Sequence, residues 1–222
     1  MGIFRRAAAS SNDPFFSEQW NLTGISAPDA WNFAQGNQNV VIAVIDTGID
    51  YLDSDLSDNV WINASEFNGL PNVDDDSNGY TDDVYGWDFA DNDFDPMDSS
   101  GHGTHVAGII AAKGGNGIGI AGVAWNAGIM ALKVQMDDSE YMELFAIIEA
   151  LAYAESMGAR IVNCSFGGNM FEQDDAILGL QLLAGLNPGI CATCISGIDM
   201  NNDGRIGIEE VIYVLQFVSQ FH

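Results

Sequence analysis

Two short motifs in this chain hold the residue types of acid–base chemistry. Asp46 closes an apolar run as Asp46-Thr47-Gly48, and some tens of residues later Gly101-His102-Gly103-Thr104-His105 opens a helix-like stretch. A carboxylate and an imidazole are two parts of a Ser-His-Asp triad, in which the Asp orients the His and stabilises its cation while the His takes the Ser proton. Each motif alone also has a plainer reading. Asp-Thr-Gly is compatible with a strand-ending turn, and a His pair at i, i+3 with core packing or metal ligation. A second kind of pattern is rich in oxygen ligands. The segment from Asp199 to Glu210 fits a calcium loop, with Asp199, Asn201 and Asp203 as side-chain ligands, Gly204 at the turn, the Arg205 carbonyl and a bidentate Glu210. A solvated acidic turn does not account for the Gly and Glu at those places. The segment from Asp74 to Asp83 has the same opening. Its ligands would be Asp74, Asp76, Asn78, the Tyr80 carbonyl and Asp82 or Asp83, with Tyr85 where the closing Glu would stand.

The elements around these residues must bring them together. Val40 to Ile45 is a continuous, mostly β-branched run, as expected of a parallel strand buried on both faces, and it delivers Asp46 at its carboxyl end. Ala27 to Ala34 reads as a short helix. Residues 52–100 are rich in Asp, Asn, Ser and Gly and read as a looped excursion. A helix is expected from His102 to about Ala112, then a Gly-rich turn and a strand around Ala131 to Val134. A long helix follows from Ser139 as N-cap to about Met157, with Leu144, Ile147, Ile148 and Leu151 on one face and Gly158 as its stop. The run Arg160 to Phe166 is a third apolar strand. Strands alternating with helices imply an open parallel sheet, whose ligand crevice lies at the carboxyl ends of its strands. After Gly168 the segments beginning at Asp175 and Glu210 share an acidic start with Ile, Leu and Gln at equal offsets, a weak repeat of two amphipathic helices.

Composition narrows the function classes. The 222 residues carry 32 acidic against 6 basic side chains, a formal charge of -26. Nucleic acid and anionic membrane surfaces, which need clustered Lys and Arg, are not expected partners. Such an excess repels itself in the compact state unless cations neutralise part of it, and calcium is the expected cation. No stretch reaches the ~18 apolar residues of a membrane span, and the start, MGIFRRAAAS, is too short in apolar residues for a signal peptide. Cys164, Cys191 and Cys194 form an odd set. Cys191 and Cys194 are compatible with a short disulfide, a redox pair or half a metal site, with a structural role favoured because no second Cys-x-x-Cys accompanies them.

Taken together, the blocks VIAVIDTGID, SGHGTHVAGIIAA, IAGVAW and RIVNCSFGG, in that order, resemble the subtilisin-like serine proteases, or subtilases, over about residues 13–168. The resemblance implies an α/β fold with an incomplete subtilisin-like parallel sheet flanked by helices, and extracellular location. It assigns Asp46 as the orienting carboxylate, His102 as the general base and His105 to a structural role. Ser165, Phe166 and Gly167 match the strand that pairs with the backbone of a peptide or protein substrate. It also implies a calcium site from Asp13, Asp55 and Asn116 with carbonyls of the Gly-rich turn. The C-terminal loop with its two repeated helices resembles a dockerin-like EF-hand module, a small all-α unit over 169–222 after an unstructured leader at 1–12. That resemblance implies a cohesin-like partner, although the first loop of the pair lacks ligands.

The departure from the subtilase pattern matters as much. The serines after His102 are Ser139, Ser156, Ser165, Ser196 and Ser219, and none stands in the family's Gly-Thr-Ser-x-Ala block. The family's oxyanion Asn is not recognisable either. The expectation is a truncated subtilase, inactive alone and dependent on Ca2+. Its rivals are a calcium-binding interaction protein that binds peptides without turnover, and half of a split protease completed by a partner that supplies the Ser.

Overall fold

The computed structural model describes residues 9–137, 142 and 144–165. Two short helices, α1 (Trp20–Gly24) and α2 (Ala27–Ala30), precede strand β1 (Val41–Asp46). Then come α3 (Ala64–Phe67), β2 (Gly86–Asp88), α4 (His102–Ala111), β3 (Gly128–Lys133), α5 (Leu144–Ser156) and β4 (Ile161–Cys164). The strands lie in the order β2-β3-β1-β4 and every pairing is parallel. All carboxyl ends therefore reach one edge, where Asp88, Lys133, Asp46 and Cys164 follow one another across the sheet.

The unbroken apolar run of β1 is explained by a layer on each face. Ile42 and Val44 pack with Ile129, Ala131 and the α4 residues Ala107 and Ala111. Val41, Ala43 and Ile45 face the other way, with Met130 and Leu132, onto Ala146, Ile147, Ala150, Tyr153 and Ala154 of α5. All six β1 residues are buried, and each Val or Ile removed from water contributes about 1.5–3 kcal/mol. Small residues on α4 let it lie close to the sheet. Asn59, 1% exposed, ties the end of α4 to the following turn by donating to the carbonyls of Ala111 (2.8 Å) and Trp125 (2.7 Å). Gly158, at φ +79°, ends the long helix where a left-handed residue is needed.

Three elements differ from the sequence reading. The looped excursion contains a strand: β2 adds an edge to β3 and sends Trp87 and Phe89 into the core under α5. Its acidic surroundings hid the Trp-Asp-Phe alternation. A Cβ on Gly86 would sit 1.9 Å from the Ala131 carbonyl oxygen, so the edge strand approaches as closely as it does because that residue is Gly. Strand β4 is present, outermost among the described strands, but its Ile161 and Val162 are 50% and 39% exposed rather than buried. Helix α2 is shorter than the stretch expected from Ala27 to Ala34, ending at Ala30. Ser139, Phe166, Gly167, Cys191, Cys194 and the whole 169–222 module, with Asp199, Asn201, Asp203, Arg205 and Glu210, lie outside the described residues. Among the described residues no helix is long and apolar enough to cross a membrane.

Candidate active site and acidic loop

Asp46 ends β1 fully buried, and His102 is the first residue of α4. His102 Nδ1 lies 2.6 Å from Asp46 Oδ1, with the His side chain 49% exposed and the Asp side chain 0%. The same oxygen accepts from the Thr47 N–H at 2.8 Å, while Oδ2 is buried with no hydrogen-bond partner among the described residues. With Nδ1 committed to Asp46, Nε2 is the nitrogen left to exchange a proton. The approach of helix to strand depends on Gly103, where a Cβ would lie 2.1 Å from the Gly48 carbonyl oxygen and 3.2 Å from Asp46 Oδ1. His105, three residues further along α4, is exposed. Ser165 follows β4, exposed, and accepts from Asn163 Nδ2 at 2.8 Å.

Beside Asp46 in the sheet, Lys133 is 3% exposed and pairs with Asp88 at 2.8 Å and Asp137 at 2.7 Å. Burial alone would lower its pKa, but the hydrogen bonds it donates to Asp137 and Asp88 raise it, so it stays protonated.

The second cluster lies around the loop at 74–83. Ligand atoms of Glu66, Asp74 and Asp76 come within 4.8 Å of one another. Glu66, on α3 and 6% exposed, accepts from the N–H groups of Asp75 (2.7 Å) and Asp82 (2.9 Å). Asp74 accepts from Gly79 N–H at 2.9 Å, and Asp76 from Asn63 Nδ2 at 2.9 Å. Asn78 Oδ1 accepts from Tyr80 N–H at 2.7 Å. Asp82 turns instead to the Asn72 N–H at 2.9 Å, and Tyr80 packs edge-on against Trp87, Phe89 and Tyr153. Asp83 points inward, 0% exposed, and accepts from Tyr153 (2.6 Å), Asn63 (2.7 Å) and Asn78 (2.8 Å). Burial pushes its pKa up against those three donors. Burial and the bond to Asp83 raise the Tyr153 pKa, which keeps the phenol a donor. A depression of ≈ 630 Å³ beside this loop is lined by Trp61, Asn63, Asp76, Asn78 and Met157, and none of its lining residues belongs to the Asp46–His102 site.

Asp13, Asp55 and Asn116 do converge on the Gly-rich turn. Asp13 accepts from Ser11 and from the N–H groups of Gly115 and Gly117, both at 2.9 Å. Asp55 accepts from Asn116 Nδ2 (2.8 Å) and Ile120 N–H (2.9 Å), and burial pushes its pKa up against those donors. The chain is already tied down at Ala9, whose N–H donates to the Pro28 carbonyl at 2.9 Å.

Residues 37–186 match the subtilase family. The chain belongs to the subtilase family. It is 41% identical over 157 residues to the subtilisin-like protease 1 of Plasmodium vivax, covering 70% of this chain and 25% of that protein. It is 38% identical over 160 residues to thermitase of Thermoactinomyces vulgaris, covering 72% of this chain and 48% of thermitase. Among solved structures, fervidolysin from Fervidobacterium pennivorans, a keratinolytic enzyme related to subtilisin, superposes with a TM-score of 0.56 at 26% identity, covering 80% of this chain and 25% of that one. The chain thus spans about a quarter of the first curated relatives' length.

Two features of this subtilase escaped the sequence reading. Glu66 joins Asp74 and Asp76 in the acidic loop, and no local pattern announces it, because it comes from a separate helix. Asp98 accepts from Thr47 and Thr104 beside the Asp46–His102 pair. Its position just before Ser-Ser-Gly-His was a legible sign of a carboxylate at a helix start.

Proposed function

We propose that this chain carries the acid–base half of a subtilisin-type serine endopeptidase. The observation that carries the reading is the 2.6 Å pair of a fully buried Asp46 and a half-exposed His102 at the carboxyl edge of a parallel sheet. In that role His102 Nε2 takes the proton of a Ser hydroxyl as its oxygen attacks the substrate carbonyl, and returns it to the leaving amine. Asp46 holds the imidazole in the right tautomer and stabilises its cation. Ser165, Phe166 and Gly167 serve as the strand that pairs with the peptide substrate. The 222 residues contain no Gly-Thr-Ser-x-Ala block, so by themselves they bind peptide without turnover, and hydrolysis needs the Ser segment supplied from outside them. The place of action is extracellular, as in secreted family members.

Calcium is the proposed cofactor. The 74–83 loop with Glu66 supports it: the ligands are all oxygen, three carboxylates crowd together, and no Lys or Arg pairs with them among the described residues. Asp13, Asp55 and Asn116 would hold a second ion, and Asp199 to Glu210 a third. The test is labelling by a fluorophosphonate probe in millimolar calcium, with and without the Ser-bearing segment of a close relative added in trans. Labelling and peptide hydrolysis that need both parts and vanish in His102→Ala are the expected result. Failure of every such mixture, with peptide affinity retained, favours the interaction-protein reading.

A further inference from the structure

We infer that Asp98 is a positioning residue for the Asp46–His102 pair, a single carboxylate that ties the end of β1 to the first turn of α4. Oδ1 accepts from Thr47 Oγ1 and from the N–H groups of Ser100 and Gly101, each at 2.9 Å. Oδ2 accepts from the N–H and the hydroxyl of Thr104, at 2.9 and 2.5 Å. A residue that only capped the helix would take backbone N–H groups and stop there. Asp98 also takes the hydroxyl of Thr47, the neighbour of Asp46 in the chain, and Thr47 Oγ1 in turn accepts from the N–H of Gly103, the neighbour of His102, at 2.9 Å. Thr104 Oγ1 accepts from the Asp50 N–H at 2.9 Å, which closes a second loop from the helix back to the segment after β1.

The surrounding backbone is built for this contact. Gly48 has φ +107°, and a Cβ there would meet Pro96 O at 2.7 Å and the Asp98 Cα at 2.9 Å. Ile49 N–H donates to the same Pro96 carbonyl at 3.0 Å. Burial would raise the Asp98 pKa, but the donors on Thr104, Gly101 and Thr47 hold it below the ordinary carboxylate range, so at neutral pH the carboxylate accepts on both oxygens. Asn at this place would turn an NH2 group toward the donors of Thr104 or Thr47 and break one arm of the tie.

The inference rests on reading Asp46 and His102 as the acid–base pair, and its test needs no turnover. The Nδ1–H proton of His102 is followed by NMR in the full chain with calcium, assigned by its loss in His102→Gln and Asp46→Asn. In Asp98→Asn its exchange with water should quicken by about tenfold, the scale of one or two lost hydrogen bonds, while amide protection in β1 and β3 is unchanged. Thr47→Val should do the same, and Thr47→Ser, which keeps the hydroxyl, should restore the wild-type rate. If Asp98→Asn loses amide protection throughout, the Thr47→Val and Thr47→Ser pair decides. Wild-type exchange in Asp98→Asn and Thr47→Val overturns the role of Asp98 alone. No wild-type resonance sensitive to Asp46→Asn overturns both the pair and the inference built on it.

Discussion

At the carboxyl edge of the sheet, two buried carboxylates meet basic side chains: Asp46 faces His102, and Asp88 faces Lys133, which also pairs with the exposed Asp137. In the loop from Glu66 to Asp83 the carboxylates meet, among the described residues, N–H groups, two Asn amides and the Tyr153 hydroxyl. Hydrogen bonds of that kind orient a carboxylate without cancelling its charge. One region is closed electrically from within the chain, whereas the carboxylates of the other have no Lys or Arg partner among the described residues, which is what the proposed calcium would supply. Chemistry and stability should therefore separate between them.

The largest effect expected is on turnover. In the complemented enzyme, His102→Ala should cut kcat/KM by about 10⁴-fold or more, with a thermal midpoint close to wild type. Equal losses of both would dissolve the distinction. Next comes Asp83→Ala, which leaves Tyr153, Asn63 and Asn78 without their shared acceptor and should cost about 3 kcal/mol in urea unfolding. A cost below about 1 kcal/mol would mean that the loop carries little of the fold.

Calcium should follow closely. In a background of Glu210→Gln and Asp13→Asn, which silences the other two proposed sites, calcium at ~100 times its Kd should stabilise the chain by about 2.7 kcal/mol for the single site left. Glu66→Gln should remove most of that gain, and an unchanged calcium response would place the cation elsewhere.

The pH dependence in chelator should be smaller. Asp83 and Asp55 have folded pKa values raised by burial, so the folded chain holds protons that the unfolded chain has released. Their stabilising share is fully present below the unfolded carboxylate pKa of about 3.9 and is lost as pH rises through the folded values. Asp98, with a lowered pKa, contributes the opposite way: its share is present above about pH 3.9 and is lost as pH falls through its folded value. Chelated protein should thus weaken as pH rises above about 4, a trend that calcium should flatten; thermal melts against pH would reveal it. Least of all, Asp91→Asn should move stability by about 0.5 kcal/mol or less, since Asp91 is half-exposed and 4.0 Å from Lys133.

What the sequence determined by itself is whatever is local in the chain. The β-branched run ending in Asp46, the Gly-His-Gly-Thr-His opening of α4, the Gly158 stop and the spacing of Asp74, Asp76 and Asn78 each follow from neighbours a few residues apart. Tertiary structure alone decided what joins distant segments. It brought Glu66 to a loop whose own twelfth position is Tyr85, turned Asp83 inward to Tyr153 while Asp82 faced Asn72, and drew β2 from an acidic stretch onto the edge of β3. It also placed Asp98 between Thr47 and Thr104. The physical reason is the same in each case: a carboxylate or a strand edge is satisfied by whichever donor the packed sheet and helices carry to it, and sequence spacing holds no record of that meeting.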